Sequence, residues 1–215
     1  MILLFLNLPG IFLMTEISEQ QTVIRLHATN VLGIGAYQLV SNLIPALENS
    51  DTATISEIYV GENGVLSDYN PLQKDTHLIK YSRKLPKAIS RFLECTIFAK
   101  KFSGSGTLIV LGDIPLRCEG EQIVLVHMPH LCSTNVQLLK TFNIKAFISS
   151  LLFKLNKNKV KMFVVQTKEM QENLSKKYSI DKSKISIIPQ PVPRWLQDGK
   201  LEDSNVTKMA HSFKL

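Results

Sequence analysis

The chain has 215 residues, enough to bury one good core and to begin a second. Its apolar content of 45% is ordinary for a soluble globular protein, and its formal net charge is +7. Three cysteines, Cys95, Cys118 and Cys132, are odd in number and lack C-x-x-C spacing, which argues for buried thiols in a reducing compartment over a disulfide or zinc framework. The charge is uneven. Lys74 to Lys101 carries a net +6 and Gln137 to Lys177 a net +7, which leaves the rest of the chain at −6. Two concentrated basic segments call for an anionic partner, either membrane headgroups or nucleic acid, unless they form a solvated lysine-rich face.

The first stretch, MILLFLNLPGIFLM, is apolar. It lacks a leading Lys or Arg and a small-x-small cleavage site, and about 13 residues are too few to span a bilayer. Residues 1–13 therefore read as an upstream extension or a weak membrane anchor, with a natural start at Met14. The rest of the chain is organised around the stretch Thr22–Leu47. Val23 to Leu26 predicts a strand, two glycines at Gly33 and Gly35 predict a turn, and Tyr37, Val40, Ile44 and Leu47 fall on one helical stripe. A glycine turn leading into a helix N-terminus suits a phosphate or another anion. It is not a dinucleotide fingerprint, because Gln38 stands where a third Gly or Ala belongs, and no Gly-Lys-Ser/Thr comes after it for a Walker A loop. Hydride transfer is thereby disfavoured.

Ile55 to Gly61 reads as a second strand, Glu62 to Pro71 as a loop, and His77 to Tyr81 as a third strand. One helix is expected from Pro86 to about Phe102, with Ile89, Leu93, Thr96 and Ile97 on its inward stripe and Phe92 beside it. Thr107 to Leu111 and Gln122 to Val126 are continuous apolar runs, as expected of strands buried on both faces of a parallel sheet. Ile144 to Lys157 has a helical stripe of Ile144, Phe147, Ile148, Leu151, Leu152 and Leu155. Val160 to Val165 is a strand, Met170 to Tyr178 a helix, and Lys184 to Ile188 a last strand before the proline-rich Pro189 to Pro193. The alternation predicts an α/β fold, a Rossmann-like, mostly parallel sheet with helices on both faces. Residues 1–21 are then an extension, 22–190 the domain, and 191–215 a hinge and tail.

In such a sheet ligands bind beyond the carboxyl ends of the strands. The chain places Asn30, Asp113, His127, His130, Gln166 and Thr167 at those ends. His127 comes directly after a buried strand and precedes a proline-fixed turn, so its ring is expected to be rigidly placed to hydrogen-bond a sugar hydroxyl or carry charge near a phosphate. A buried histidine bonded to a carbonyl is the plainer alternative. No Cys or carboxylate stands at ligand spacing from His127 and His130, so a metal site is not expected. No G-x-S-x-G supports a serine nucleophile. Asp113 reads as a base or, more simply, as a turn former.

HATNVLGIGAYQLVSNLIPALE, then LGDIP with IVLVHMPHL, then FVVQTKEMQENLSKKY with ISIIPQPVP, together resemble the N-terminal half of GT-B glycosyltransferases, in particular the group-1, GT4-like family of retaining enzymes. The match runs from about Thr22 to Pro193. The resemblance implies an acceptor-binding domain whose loop Gly33, Ile34 and Gly35 approaches the donor diphosphate, with His127 near the reacting sugar. It implies a nucleotide-sugar donor as substrate, a glycan or lipid-linked acceptor, and neither metal nor other cofactor. A second domain with the nucleotide pocket would come after the hinge, but the chain runs only 22 residues past Pro193. Either the chain is a truncated product or fragment, or a separate polypeptide supplies the donor half, and this chain alone would not transfer sugar. A non-catalytic membrane-surface or scaffold protein that keeps the fold is the competing expectation.

The basic segments place Arg83, Lys84, Lys87 and Arg91 with Lys145, Lys154, Lys157 and Lys159 on one expected positive surface. Anionic membrane is preferred to nucleic acid as its partner, because no aromatic residues interleave with the charges as a base-stacking platform needs. The expected location is cytoplasmic, peripheral to the inner face of a membrane.

Overall fold

The computed structural model describes residues 22–31, 34–132 and 144–189. In chain order they form β1 (Thr22–Ala28), α1 (Ile34–Glu48), β2 (Ala53–Gly61), β3 (His77–Tyr81), α2 (Lys87–Cys95), β4 (Thr107–Val110) and β5 (Gln122–Leu125). Next come α3 (Pro129–Cys132), α4 (Ile144–Asn156), β6 (Met162–Val165), α5 (Lys168–Tyr178) and β7 (Ile185–Ile187). Short 3-10 helices at Phe98–Phe102, Lys157–Lys159 and Lys182–Lys184 complete the connections. All seven strands pair in parallel, in the order β3-β2-β1-β4-β5-β6-β7.

The strands are parallel because the chain returns to the same edge of the sheet after each one, which requires a crossover. Helices supply four crossovers. Loops supply those from β2 to β3 and from β4 to β5. In the second, Gln122 exchanges two hydrogen bonds with the Leu116 backbone at 3.1 and 2.9 Å and folds the segment back onto the sheet. In the first, Glu48 at the end of α1 accepts from Tyr69 and from the Leu72 amide.

Side-chain alternation divides the core between the two faces. Ile24, Leu26 and Ala28 of β1 pack with Ile55, Val60 and the α1 residues Val40 and Ile44 on one face. Leu108 and Val110 of β4 pack with Val124, Phe163, Phe102, Phe153 and Leu174 on the other, under α2, α4 and α5. The apolar runs at β4 and β5 therefore sit where expected, with β4 the middle strand of seven.

Two helices depart from their expected shape. The helix expected over Pro86–Phe102 ends at Cys95, and Phe98–Phe102 resumes as a 3-10 turn. The break has a cause: the Cys95 carbonyl accepts from the Arg117 amide at 2.9 Å and from Asn156 Nδ2 at 3.0 Å, so it is bonded outside the helix. The stripe of α2 is also inverted. Ile89, Phe92 and Ile97 are exposed, whereas Ser90, Arg91, Glu94 and Cys95 are buried. In α4, only part of the apolar stripe points inward. Leu152 and Phe153 are fully buried, but Phe147, Leu151 and Leu155 are exposed. No helix among the described residues is long and apolar enough to cross a membrane.

Candidate functional site

The chain leaves β1 in one direction to β2 and β3, then crosses through α2 to β4 on the other side of β1. The switch point between β1 and β4 opens a crevice at their carboxyl ends, the usual ligand position in open α/β sheets. Thr29 and Asn30 leave β1 there, and Gly112 and Asp113 leave β4. The two ends touch closely. A Cβ on Gly112 would stand 2.9 Å from Arg91 Nη2 and 3.2 Å from Asn30 Cβ, so only glycine fits between them.

Asp113 is buried and adopts φ 67°, in the left-handed region that Asp tolerates better than most residues. Its Oδ1 accepts from the backbone amides of His127 at 2.6 Å and Met128 at 2.9 Å. His127 Nδ1 lies 3.1 Å from the same oxygen but without hydrogen-bond alignment. Oδ2 is buried and unpartnered. Burial pushes the Asp113 carboxyl above the usual range, against the pull of His127 and the two amides. Asp113 thus holds the start of the segment after β5, and His127, about one-fifth exposed, sits over it.

A second cluster lies beneath this crevice. Glu94, projecting inward from α2, is fully buried. Its Oε1 stands 3.0 Å from His27 Nε2 and accepts from Arg91 Nη1 at 2.8 Å and from the Thr29 hydroxyl. Oε2 accepts from Arg83 Nε at 3.1 Å and Nη2 at 2.8 Å. Arg91 Nη2 also donates to the Gly112 carbonyl at 2.9 Å, and Arg83 Nη2 to Thr29 Oγ1 at 3.2 Å. Burial alone would raise the Glu94 carboxyl, but Arg91, His27 and Arg83 outweigh it and hold it well below the usual carboxylate range. Burial lowers the His27 pKa despite Glu94, so the ring is neutral and Nε2–H donates to the carboxylate. His27 Nδ1 is then left buried without a partner.

Most residues singled out in the sequence lie among the described ones. Asn30, Asp113, His127, Gln166 and Thr167 all come after carboxyl ends of parallel strands, at one rim. The Thr167 hydroxyl is the N-cap of α5, accepting from the Met170 amide at 3.1 Å. Ile34 and Gly35 open α1, while Gly33 lies outside the described residues. The backbone of His130 belongs to α3, and its side chain lies outside the described ones. The expected positive surface needs correction. Arg91 is buried and Arg83 half-buried, both turned onto Glu94 because an unpaired carboxylate there would be costly. Lys157 donates to the Tyr178 carbonyl. Lys84, Lys154 and Lys159 are exposed, and the side chains of Lys87 and Lys145 lie outside the described ones.

The sequence reading missed Glu94 and a pocket of about 280 Å³ at the carboxyl end of β3. Arg83, Lys84 and Lys101 line it with Tyr81, Leu93 and Phe98. A signal was present in the clustering of basic residues about Phe98, but the periodicity of α2 pointed elsewhere. The three cysteines are buried and unbridged, and burial pushes each thiol up to about 11. No group of three or more His, Cys, Asp or Glu among the described residues is arranged to hold a metal ion. No protein-family model and no curated protein matches the chain.

Proposed function

We propose that this domain is the acceptor-side half of a retaining glycosyltransferase of the GT-B type, acting beside an anionic membrane surface. The observation that carries the reading is the switch point between β1 and β4, with Asn30, Asp113 and His127 gathered at one rim. In this reading the turn Gly33–Gly35 and the N-terminus of α1 meet the diphosphate of a nucleotide-sugar donor. His127 contacts the reacting sugar, and Asp113 holds His127 through the backbone amides of His127 and Met128. Asn30, His130 and Gln166 contact the acceptor, a glycan or lipid-linked sugar. The nucleotide pocket belongs to a donor-binding domain that faces this one, and no metal or nucleic acid takes part.

The test is transfer of labelled sugar to membrane-extracted acceptors, with and without a second chain bearing a donor domain. The isolated chain is expected to be inactive and to bind nucleotide sugars at about 1 mM or weaker, roughly 4 kcal/mol or less. Micromolar binding by the isolated chain would contradict the division of labour between two halves.

The outward apolar residues of α2 and α4 favour a second reading, a non-catalytic protein of the membrane surface that keeps this fold. Failure of every donor-domain partner to restore transfer, with vesicle binding retained, would select it.

A further inference from the structure

The pocket at the end of β3 shares no lining residue with the His127 rim. Three cationic groups line it, and they come from two segments, the turn after β3 (Arg83, Lys84) and the 3-10 helix (Lys101). Neither lysine meets a carboxylate among the described residues, and Lys101 Nζ lies 5.5 Å from the Phe98 ring centroid. The nearby anion, Glu94, is sealed behind Arg83, with both oxygens occupied by His27, Thr29, Arg83 and Arg91. Arg83 engages Glu94 through Nε and Nη2, and its side chain is about one-sixth exposed, with no hydrogen bond from Nη1 among the described residues. Lys84 and Lys101 therefore bring positive charge to the pocket that no carboxylate among the described residues neutralises.

Leu85, Leu93 and Phe98 give the rest of its lining an apolar part, beside Tyr81, Ser82 and Ser90. Leu85, which lines the pocket just before α2, is exposed, and so are Ile89 and Phe92, three apart on α2, so exposed apolar side chains stand beside the pocket on the neighbouring helix. A guanidinium edge and two ammonium groups suit an anion with several acceptor oxygens. An apolar part of the lining, with exposed apolar side chains beside it, suits a hydrocarbon substituent on that anion.

We propose that this pocket binds a phosphoryl group carried on an apolar chain. The proposal deepens the membrane-surface part of the proposed function and rests on it only for the source of the ligand, a lipid phosphate in a bilayer or a free phosphate ester.

The experiment titrates the full chain with decyl phosphate below its micelle concentration, by calorimetry and amide NMR, beside inorganic phosphate and decanol. A K84A/K101A variant is compared throughout. Both lysines are exposed, so the variant should fold, and K101Q alone serves if it does not. Saturable one-to-one binding of decyl phosphate, weakened at least tenfold in the variant and stronger than that of either fragment molecule, is the expected result. Equal affinity in parent and variant, or equal affinity for decanol, overturns the proposal. Co-sedimentation with phosphatidylcholine vesicles, with and without phosphatidic acid, then separates the sources. Binding that needs phosphatidic acid and is lost in the variant places the ligand in the bilayer. Decyl phosphate binding without vesicle binding keeps the pocket and removes the membrane from the proposed function. Vesicle binding unchanged in the variant, with no decyl phosphate binding, keeps the membrane and removes the pocket.

Discussion

Glu94 on α2 stands 3.0 Å from the imidazole of His27 on β1, and both side chains are fully buried. The contact fastens the helix to the centre of the sheet through polar groups where most α/β domains use apolar ones. It also fixes Arg83 and Arg91, so a single carboxylate organises the floor of the crevice.

Removing that carboxylate should therefore be severe. Glu94→Ala leaves two buried or half-buried guanidinium groups without their counter-ion, and breaking a buried pair in this way costs about 3–5 kcal/mol. Glu94→Gln keeps the shape and one carbonyl acceptor, so it should cost less than Glu94→Ala. Urea unfolding of the three proteins checks the order. Parent-like stability in Glu94→Ala would mean that the cluster contributes nothing net.

Acid should loosen the same cluster first. The folded state holds His27 below its ordinary 6.5 by burial, so only the unfolded chain takes up that proton as pH falls. The stability this represents is complete above about pH 6.5 and is lost below it, at up to about 1.4 kcal/mol per pH unit. Glu94, held below its ordinary 4.5, adds a second loss that begins beneath pH 4.5. Asp113 runs the other way: its raised pKa gives a contribution that is full below 3.8 and lost as pH rises through the folded value. His27→Gln should flatten the limb between pH 6.5 and 4.5 and leave the lower limb in place. An unchanged limb in thermal unfolding against pH would show that His27 is not its origin.

How much of this was legible in the sequence depended on the surface that each buried face meets. The strands were readable because β4 and β5 are buried on one face and partly covered on the other, which selects continuous apolar runs such as Thr107–Leu111. The rim was readable from the polar residues that end the strands, but the strand order, and with it the switch point beside β1, was not. The inward face of α2 was not readable. A hydrophobic stripe identifies the buried side only where the opposing surface is apolar, and here α2 meets His27 and Thr29. Glu94, Arg91 and Arg83 cancel their burial cost against one another only in three dimensions, and no spacing rule pairs residues 27, 83 and 94. The same holds for Arg25, buried in β1, whose guanidinium donates to the Phe102 carbonyl at 2.6 Å and the Gly104 carbonyl at 3.1 Å.

Val124 offers a direct check on the sheet. It is fully buried in β5, opposite Val110 of β4 and Phe163 of β6. Val124→Asp places a carboxylate among Phe, Val and Leu side chains with no partner, and should abolish cooperative folding. Recovery of soluble protein with a parent-like unfolding transition would refute this register of the central strands.

Asp113 and His127 allow the rim to be tested apart from stability. Asp113→Ala removes the acceptor of two amides and leaves a non-glycine residue at φ 67°. Losing one partner of a buried hydrogen bond costs about 1–3 kcal/mol, so the total should exceed that of an ordinary surface change. Asp113→Asn keeps an oxygen for the amides and a side chain that tolerates the left-handed region, so it should fold with a smaller loss. What Asn cannot keep is the negative charge 3.1 Å from His127 Nδ1. Because the oxygen stays, the amide NMR signals of His127 and Met128 should stay close to the parent's in Asp113→Asn and move in Asp113→Ala, where both amides lose their acceptor. In an enzyme reassembled with a donor domain, His127→Ala should lower turnover at least tenfold with little change in unfolding midpoint, because the ring is partly exposed and makes no aligned hydrogen bond in the fold. Equal turnover in His127→Ala and parent would remove His127 from the reaction.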